Sequence, residues 1–297
     1  MSRFLLTFRS PYSNIVGERA VGDGRRKGAK EMNYQVILYE KMGRIATVTF
    51  NRLQRRNAWN DQVTDEFIDV FHRMEADPEV LVTILTGNQE GRAFSAGADL
   101  KDPKTHAANS VADHVAGIDM RGMELFNCIA DYPKPVIAAI NGYAIGVGFQ
   151  VCLCCDILLA AEEAQFGLPQ VALGIMPAYG GALRLARFVG KGKAMEMVLT
   201  GEHINAQEGH RVGLLNRVLS LTELMPAARE LALKLTSLPP NSVRMAKESL
   251  NKGLDIGNMK DAAQTDIYRF MALTMTRDSQ EAHQAWREKR APVVRGE

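Results

Sequence analysis

The sequence predicts an α/β domain followed by an all-helical C-terminal region. Short β-prone runs alternate with helix-period segments up to about residue 221, the strand runs empty into glycine-containing turns, and beyond residue 222 only helical patterns remain. At 297 residues and 46% hydrophobic composition, the chain has the material for a large core. We divide it into a basic N-terminal extension over 1–31 with no element pattern and compatible with disorder, a core over 32–221, and a helical part over 222–297.

The elements follow in order. Residues 34–39 and 45–50 are β-prone runs separated by Lys41, Met42, Gly43 and Arg44, which reads as a hairpin. Val63, Phe67, Val70, Phe71 and Met74 then recur at helical spacing, behind Asn60 as an N-cap and ahead of Pro78. Residues 80–86 and 135–140 are compact apolar strands, with further strands around 157–160 and 215–219. Residues 149–155 form an apolar segment suited to a buried helix. The tail carries helices near 223–236, 243–251, 259–276 and 280–289, punctuated by Pro239, Pro240, Gly253 and Gly257. Internal repeats and low-complexity tracts are absent from the sequence.

Charge narrows the function classes. The 36 basic and 34 acidic residues leave a formal charge of +2, too balanced for a nucleic-acid-wrapping surface or a membrane-bound face. No apolar run approaches the roughly 18 residues of a membrane span. Cys128, Cys152, Cys154 and Cys155 form no secreted-type framework, because the last three crowd one apolar segment, and the chain reads as a cytoplasmic protein. They also lack the spaced histidines or second pair of a metal site, so no metal is expected. In the first 31 residues, Arg3, Arg9, Arg19, Arg25, Arg26, Lys27 and Lys30 face only Glu18, Asp23 and Glu31. This stretch is an upstream extension ahead of Met32 or, alternatively, a transit peptide to an organelle matrix.

Two segments of small residues carry the chemistry. Phe94-Ser95-Ala96-Gly97-Ala98-Asp99-Leu100 follows a strand, and its missing side chains let a ligand approach backbone N–H groups. Asn141-Gly142-Tyr143-Ala144-Ile145-Gly146-Val147-Gly148 follows another and leads into the apolar segment, whose helical start presents free N–H donors. Each by itself is equally a tight turn. Two such donors aimed at one carbonyl oxygen make an oxyanion hole, and enolate formation from a thioester gains most from one.

These motifs resemble the enoyl-CoA hydratase/isomerase family, the crotonase superfamily. The likeness continues through Lys134-Pro135-Val136-Ile137-Ala138-Ala139-Ile140, Cys155-Asp156-Ile157, Ala164-Gln165-Phe166-Gly167-Leu168-Pro169, Gly180-Gly181 and Ala194-Met195-Glu196-Met197-Val198-Leu199-Thr200-Gly201, and spans about residues 34–290. The resemblance implies a crotonase spiral of ββα units with C-terminal helices that assemble trimers or dimers of trimers. It implies an acyl-CoA thioester as ligand, with coenzyme A entering as part of the substrate and no resident cofactor. It assigns the oxyanion donors to the N–H groups of Ala98 and Val147. Coenzyme A is expected over Arg56, Asn57 and Ala58 and the loop of Ala96, Ala98, Asp99 and Lys101, with Tyr143 and Gly146 also in the binding set. Val147 stands where the family usually has glycine, and we predict an ordinary negative φ for it.

At the two positions where family hydratases carry catalytic glutamates, this chain has Gln150 and Gln170. An amide orients a water or a hydroxyl but does not accept and return a proton near neutral pH. Substitute acids and bases are sought at His114, Asp119 and Glu124; Tyr143 and Tyr179 are candidates for orienting the acyl end, set against plain packing with a satisfied hydroxyl. Lys247, Lys289 and Phe270 are weighed for nucleotide contact against ordinary packing, and Asp156 is read as a hydrogen-bonding structural residue. Three functions follow: a hydratase/isomerase-like enzyme with a non-standard proton-transfer group, a decarboxylase or carbon–carbon bond-cleaving enzyme, and a non-catalytic acyl-CoA binder.

Overall fold

Two sheets share the chain, and the way successive strands alternate between them sets the architecture. The computed structural model describes residues 33–103 and 111–297, the side chains of 111–120 excepted. The expectations for residues 1–31, His114 and Asp119 lie outside the described residues.

β1 (Ile37–Met42) and β2 (Ile45–Phe50) form the expected antiparallel hairpin. Its first strand runs further than the sequence suggested, because only Gly43 takes the left-handed turn conformation, at φ 60°. After α1 (Asp61–Ala76), β3 (Val82–Gly87) leads to a three-residue strand, β4 (Ala93–Ser95), in a second sheet, and then to α2 (Val111–Ala130). The step recurs from β5 (Val136–Ile140) to β6 (Tyr143–Ile145) and α3 (Val147–Cys152), and again from β7 (Ile157–Ala161) to β8 (Gln165–Gly167) and α4 (Gly181–Thr200). This is the ββα spiral that the resemblance implied. β9 (Ile204–Asn205), α5 (Ala206–Arg211) and β10 (Arg217–Leu219) complete the sheets, whose orders are β1-β2-β3-β5-β7-β10 and β4-β6-β8-β9.

The small sheet has no counterpart in the strand pattern of the sequence, because strands of two or three residues are too short to show an alternation. Helix α4 was not read either: Gly190 breaks it at φ 76°, ψ 161°, and the helical period with it. The four tail helices are α6 (Leu221–Thr236), α7 (Pro240–Gly253), α8 (Met259–Thr274) and α9 (Arg277–Glu288). Helix α6 packs Leu224, Ala228 and Ala232 onto Ile45, Ile84, Ile137 and Leu159 of the large sheet, so the first tail helix belongs to the core. Tyr34–Glu297 form one compact unit.

Val63, Phe67, Val70, Phe71 and Met74 are all buried, as their spacing predicted. The Asn60 side chain accepts the Val63 N–H at 3.1 Å, and Lys134 Nζ donates to the Met74 and Asp77 carbonyls at 2.5 and 2.7 Å, so both ends of α1 are capped. Phe67 is the hub of an aromatic cluster, its ring 5.6 Å from Phe50, 5.3 Å from Trp59 and 4.7 Å from Phe71.

Asp156 accepts the Val136 N–H and the Lys247 ammonium, both at 2.7 Å. Burial raises its carboxyl above the usual range, and the Lys247 charge offsets part of that. Lys247 also donates to the Lys134 carbonyl at 3.0 Å and lies 5.8 Å from the Tyr132 ring centre, so it ties α7 to the core.

All four cysteines are free, and Cys152, Cys154 and Cys155 are buried. Burial pushes their thiols up, that of Cys154 to about 12. Alkylation of the native protein at pH 8 is therefore expected to be slow and to become rapid in denaturant. Fast titration of these thiols by a colorimetric disulfide reagent under native conditions would contradict the packing. Among the described residues no cluster of three metal-capable side chains occurs, and no helix is long and apolar enough to cross a membrane.

Candidate active site

Strands β4, β6 and β8 lie side by side and run parallel. Parallel strands release their following segments at the same sheet edge, where open α/β sheets bind ligands. Here that edge receives the segments after Ser95, Ile145 and Gly167, and with them Ala98, Val147 and Gln170.

The first segment is held by Trp59, whose N–H donates to the Gly97 carbonyl at 2.7 Å and whose carbonyl accepts the Asp99 N–H at 2.8 Å. Successive backbone groups of an extended chain point to opposite sides, so the Ala98 N–H faces away from Trp59. In the second segment Gly146 takes φ 54°, ψ −121°, and Val147 is the first residue of α3. Val147 is absent from the residues with positive φ, as expected for a β-branched side chain; Gly146 carries the positive φ instead. The Val147 N–H is one of the donors that a helix start leaves without an intrahelical partner. The two segments touch backbone to backbone: a Cβ on Gly97 would stand 2.9 Å from the Ile145 carbonyl oxygen and 3.7 Å from Gly146 Cα.

Gln150, one turn into α3, is 3% exposed. Its Nε2 donates to the Ala178 carbonyl at 2.6 Å, and its Oε1 accepts from Gln170 Nε2 at 3.0 Å. Gln170 reaches back toward Gly146, where an added Cβ would lie 3.9 Å from Nε2. The structure thus joins the two glutamines, 20 residues apart in sequence, to each other and to the Gly146 turn. Tyr179, beside Ala178, sits at φ 53°, a costly conformation for a bulky residue. It is held by Arg184 Nη1 donating to its carbonyl at 2.7 Å and by its ring stacking on Phe126 at 5.7 Å.

The other sequence-derived residues divide by role. Asn57 is buried, accepting the Arg52 N–H at 2.9 Å and donating to the Ala93 carbonyl at 2.8 Å, and the Ala58 carbonyl accepts from the Arg52 guanidinium. Asp99 accepts Arg52 Nη2 at 3.0 Å and the Lys101 N–H at 3.2 Å, so its carboxylate orders the loop. Ala96 and Lys101 are exposed, and the Ala96 N–H donates to the Arg56 carbonyl at 3.1 Å, linking the two segments.

Arg56 and Tyr143 line an open depression of about 440 Å³ with Leu53, Glu90, Gly91 and Arg92. Arg92 was missed in sequence; its left-handed φ of 46° and its position just before β4 place it there, and no motif announces it. Tyr143 begins β6 whereas Val147 follows its end, and the structure groups Tyr143 with Arg56 in the lining of this depression. Glu124 is exposed on α2. Phe149 and Phe166 are fully buried against each other, ring centres 5.5 Å apart.

Comparison with known proteins places this geometry among relatives. The profile of the family described as enoyl-CoA hydratase/isomerase matches residues 40–297. A short-chain-enoyl-CoA hydratase of Clostridium acetobutylicum is 38% identical over 259 residues, covering 87% of this chain and 97% of the relative. A crotonyl-CoA hydratase of Syntrophomonas wolfei is 36% identical, with 87% and 97% covered. Among solved structures, an enoyl-CoA hydratase from Bacillus anthracis superposes with a TM-score of 0.83 at 33% identity, over 89% of this chain and 100% of that one.

Proposed function

Since the chain belongs to the enoyl-CoA hydratase/isomerase family, we propose that it binds an acyl-CoA thioester and stabilises its enolate between the N–H groups of Ala98 and Val147. The observation that carries this reading is the delivery of both donors, and of Gln150 and Gln170, to one end of the parallel strands β4, β6 and β8. Two backbone dipoles fixed by the Trp59 bridge and by the start of α3 need no rearrangement as charge develops on the thioester oxygen. Arg56 and Arg92 offer cationic groups to the phosphates of the coenzyme A moiety.

A second reading rests on the glutamines. An amide pair does not shuttle protons near neutral pH, so chemistry in which the oxyanion hole does most of the work is favoured: decarboxylation or carbon–carbon cleavage. In the decarboxylation the bond to the carboxylate breaks, carbon dioxide leaves, the electron pair forms the thioester enolate, and water supplies a proton to the α-carbon.

The test is incubation with 2-enoyl-, 3-enoyl-, 3-hydroxyacyl- and malonyl-type coenzyme A thioesters in deuterated buffer, following product masses. Loss of carbon dioxide with one deuteron gained, or deuterium uptake without hydration, is expected. Water addition at hydratase rates would overturn the role given to the amides, and binding without any mass change would favour a non-catalytic acyl-CoA binder.

The exposed apolar residues Met259, Ile267, Tyr268, Phe270 and Met271 of α8 and Trp286 of α9 support self-association, for which we propose the trimer or dimer of trimers of the resemblance. The free thiols support a reducing compartment such as the cytoplasm.

A further inference from the structure

The segments that carry Ala98 and Val147 meet at one small side chain, Ser95. It is the last residue of β4 and fully buried, and its Oγ accepts the Gly97 N–H at 3.3 Å. On its other side lies Gly148, the second residue of α3. A Cβ there would stand 2.6 Å from Ser95 Cβ, 2.9 Å from Oγ and 2.8 Å from the Ser95 carbonyl oxygen. Ser95 is therefore bonded to the residue before Ala98 and packed on the residue after Val147.

Each contact fixes a different degree of freedom. A serine hydroxyl that accepts the N–H two residues on closes a local turn, here Ser95-Ala96-Gly97, which sets the course of the chain between β4 and Ala98. The N–H groups around it are engaged as well, that of Ala96 by the Arg56 carbonyl and that of Asp99 by the Trp59 carbonyl. The contact with Gly148 sets a distance. Gly148 is not among the glycines with positive φ, so what its position requires is close approach and not an unusual conformation. Any side chain there would push the first turn of α3, and with it the Val147 N–H, away from β4.

We infer that Ser95 is a positioning residue for the oxyanion site: its hydroxyl holds the turn that presents the Ala98 N–H, and its packing on Gly148 sets the separation of that N–H from the Val147 N–H. Alanine at 95 keeps the packing but leaves the buried Gly97 N–H unpaired, and the turn relaxes to satisfy it. A larger side chain at 148 keeps the hydroxyl and spreads the segments. Two dipoles aimed at one developing charge act through their alignment, so either change falls on the transition state more than on ground-state binding. The inference rests on the enolate-stabilising role proposed for Ala98 and Val147.

The experiment reads that alignment directly. Butyryl-CoA labelled with carbon-13 at its thioester carbonyl is bound to the protein, and the infrared stretching frequency of the carbonyl is compared free and bound. Two aligned donors polarise the bond and lower the frequency in the wild-type chain. In Ser95→Ala the lowering is expected to shrink and turnover to fall about tenfold, the effect of one buried hydrogen bond, with KM and the melting temperature little changed. Gly148→Ala is expected to shrink it too, and Ser95→Cys, which fills the same space with a poorer acceptor, to give an intermediate value. A wild-type lowering retained in full by Ser95→Ala or, where that variant folds badly, by Ser95→Cys overturns the inference while the proposed donors stand. Turnover that falls only in step with melting temperature, the lowering intact, overturns it as well. Absence of any lowering in the wild-type complex brings down the proposed donors and this inference together.

Discussion

The Val147→Pro variant is expected to lose about 10²–10³ in turnover of whichever acyl-CoA thioester the chain processes, with its fold intact, because it deletes the N–H proposed as one of the two oxyanion donors and little else. Proline is well accommodated at the first position of a helix, where the N–H has no intrahelical partner. The usual restriction on the residue before proline also relaxes here. Gly146 at φ 54°, ψ −121° occupies the mirror image of the extended conformation that a preceding residue prefers, and an achiral residue adopts either. The measurement pairs steady-state kinetics with circular dichroism and thermal melting. An active, normally folded variant would show that the Val147 N–H holds no charge in the transition state.

Phe67→Ala is expected to destabilise the chain by about 3–5 kcal/mol, read as a lower midpoint of urea unfolding at unchanged slope. Phe67 is fully buried, stacks on Phe50 and packs against Trp59 edge-on and Phe71 at a tilt, so its removal leaves a cavity whose rigid aromatic walls collapse poorly. The effect extends to the site, since Trp59 is the residue whose backbone pins Gly97 and Asp99 on either side of Ala98. Weaker thioester binding should therefore accompany the lost stability, and restoring the volume with Phe67→Leu should recover a large part of both. A loss below about 1 kcal/mol would mean that the cluster is loosely packed.

Much of this was legible in the sequence. The Asn60 cap and the five apolar positions of α1 were read from spacing, since a helix turn repeats over many residues and its signal accumulates. Strands β3, β5 and β7 were read because buried parallel strands are continuous apolar runs. The small sheet was not, because Ala93–Ser95, Tyr143–Ile145 and Gln165–Gly167 are each too short to carry a period and acquire strand geometry only by pairing with one another.

The same division holds at the site. The identities of Gln150, Gln170 and Val147 were fixed by the chain itself, and with them the absence of a carboxylate at those two positions and a negative φ after Gly146. Which way the two amides point was decided by the tertiary structure alone. Amide polarity is a relation between partners, and the partner that sets it, the Ala178 carbonyl, is 28 residues away from Gln150 and brought near by the turn that Tyr179 and Arg184 hold. The same is true of Arg92, whose side chain gains a role only where β4 and β6 lie in register. Local pattern records what each segment does with its own neighbours, whereas hydrogen-bond direction and site membership depend on contacts between residues far apart along the chain.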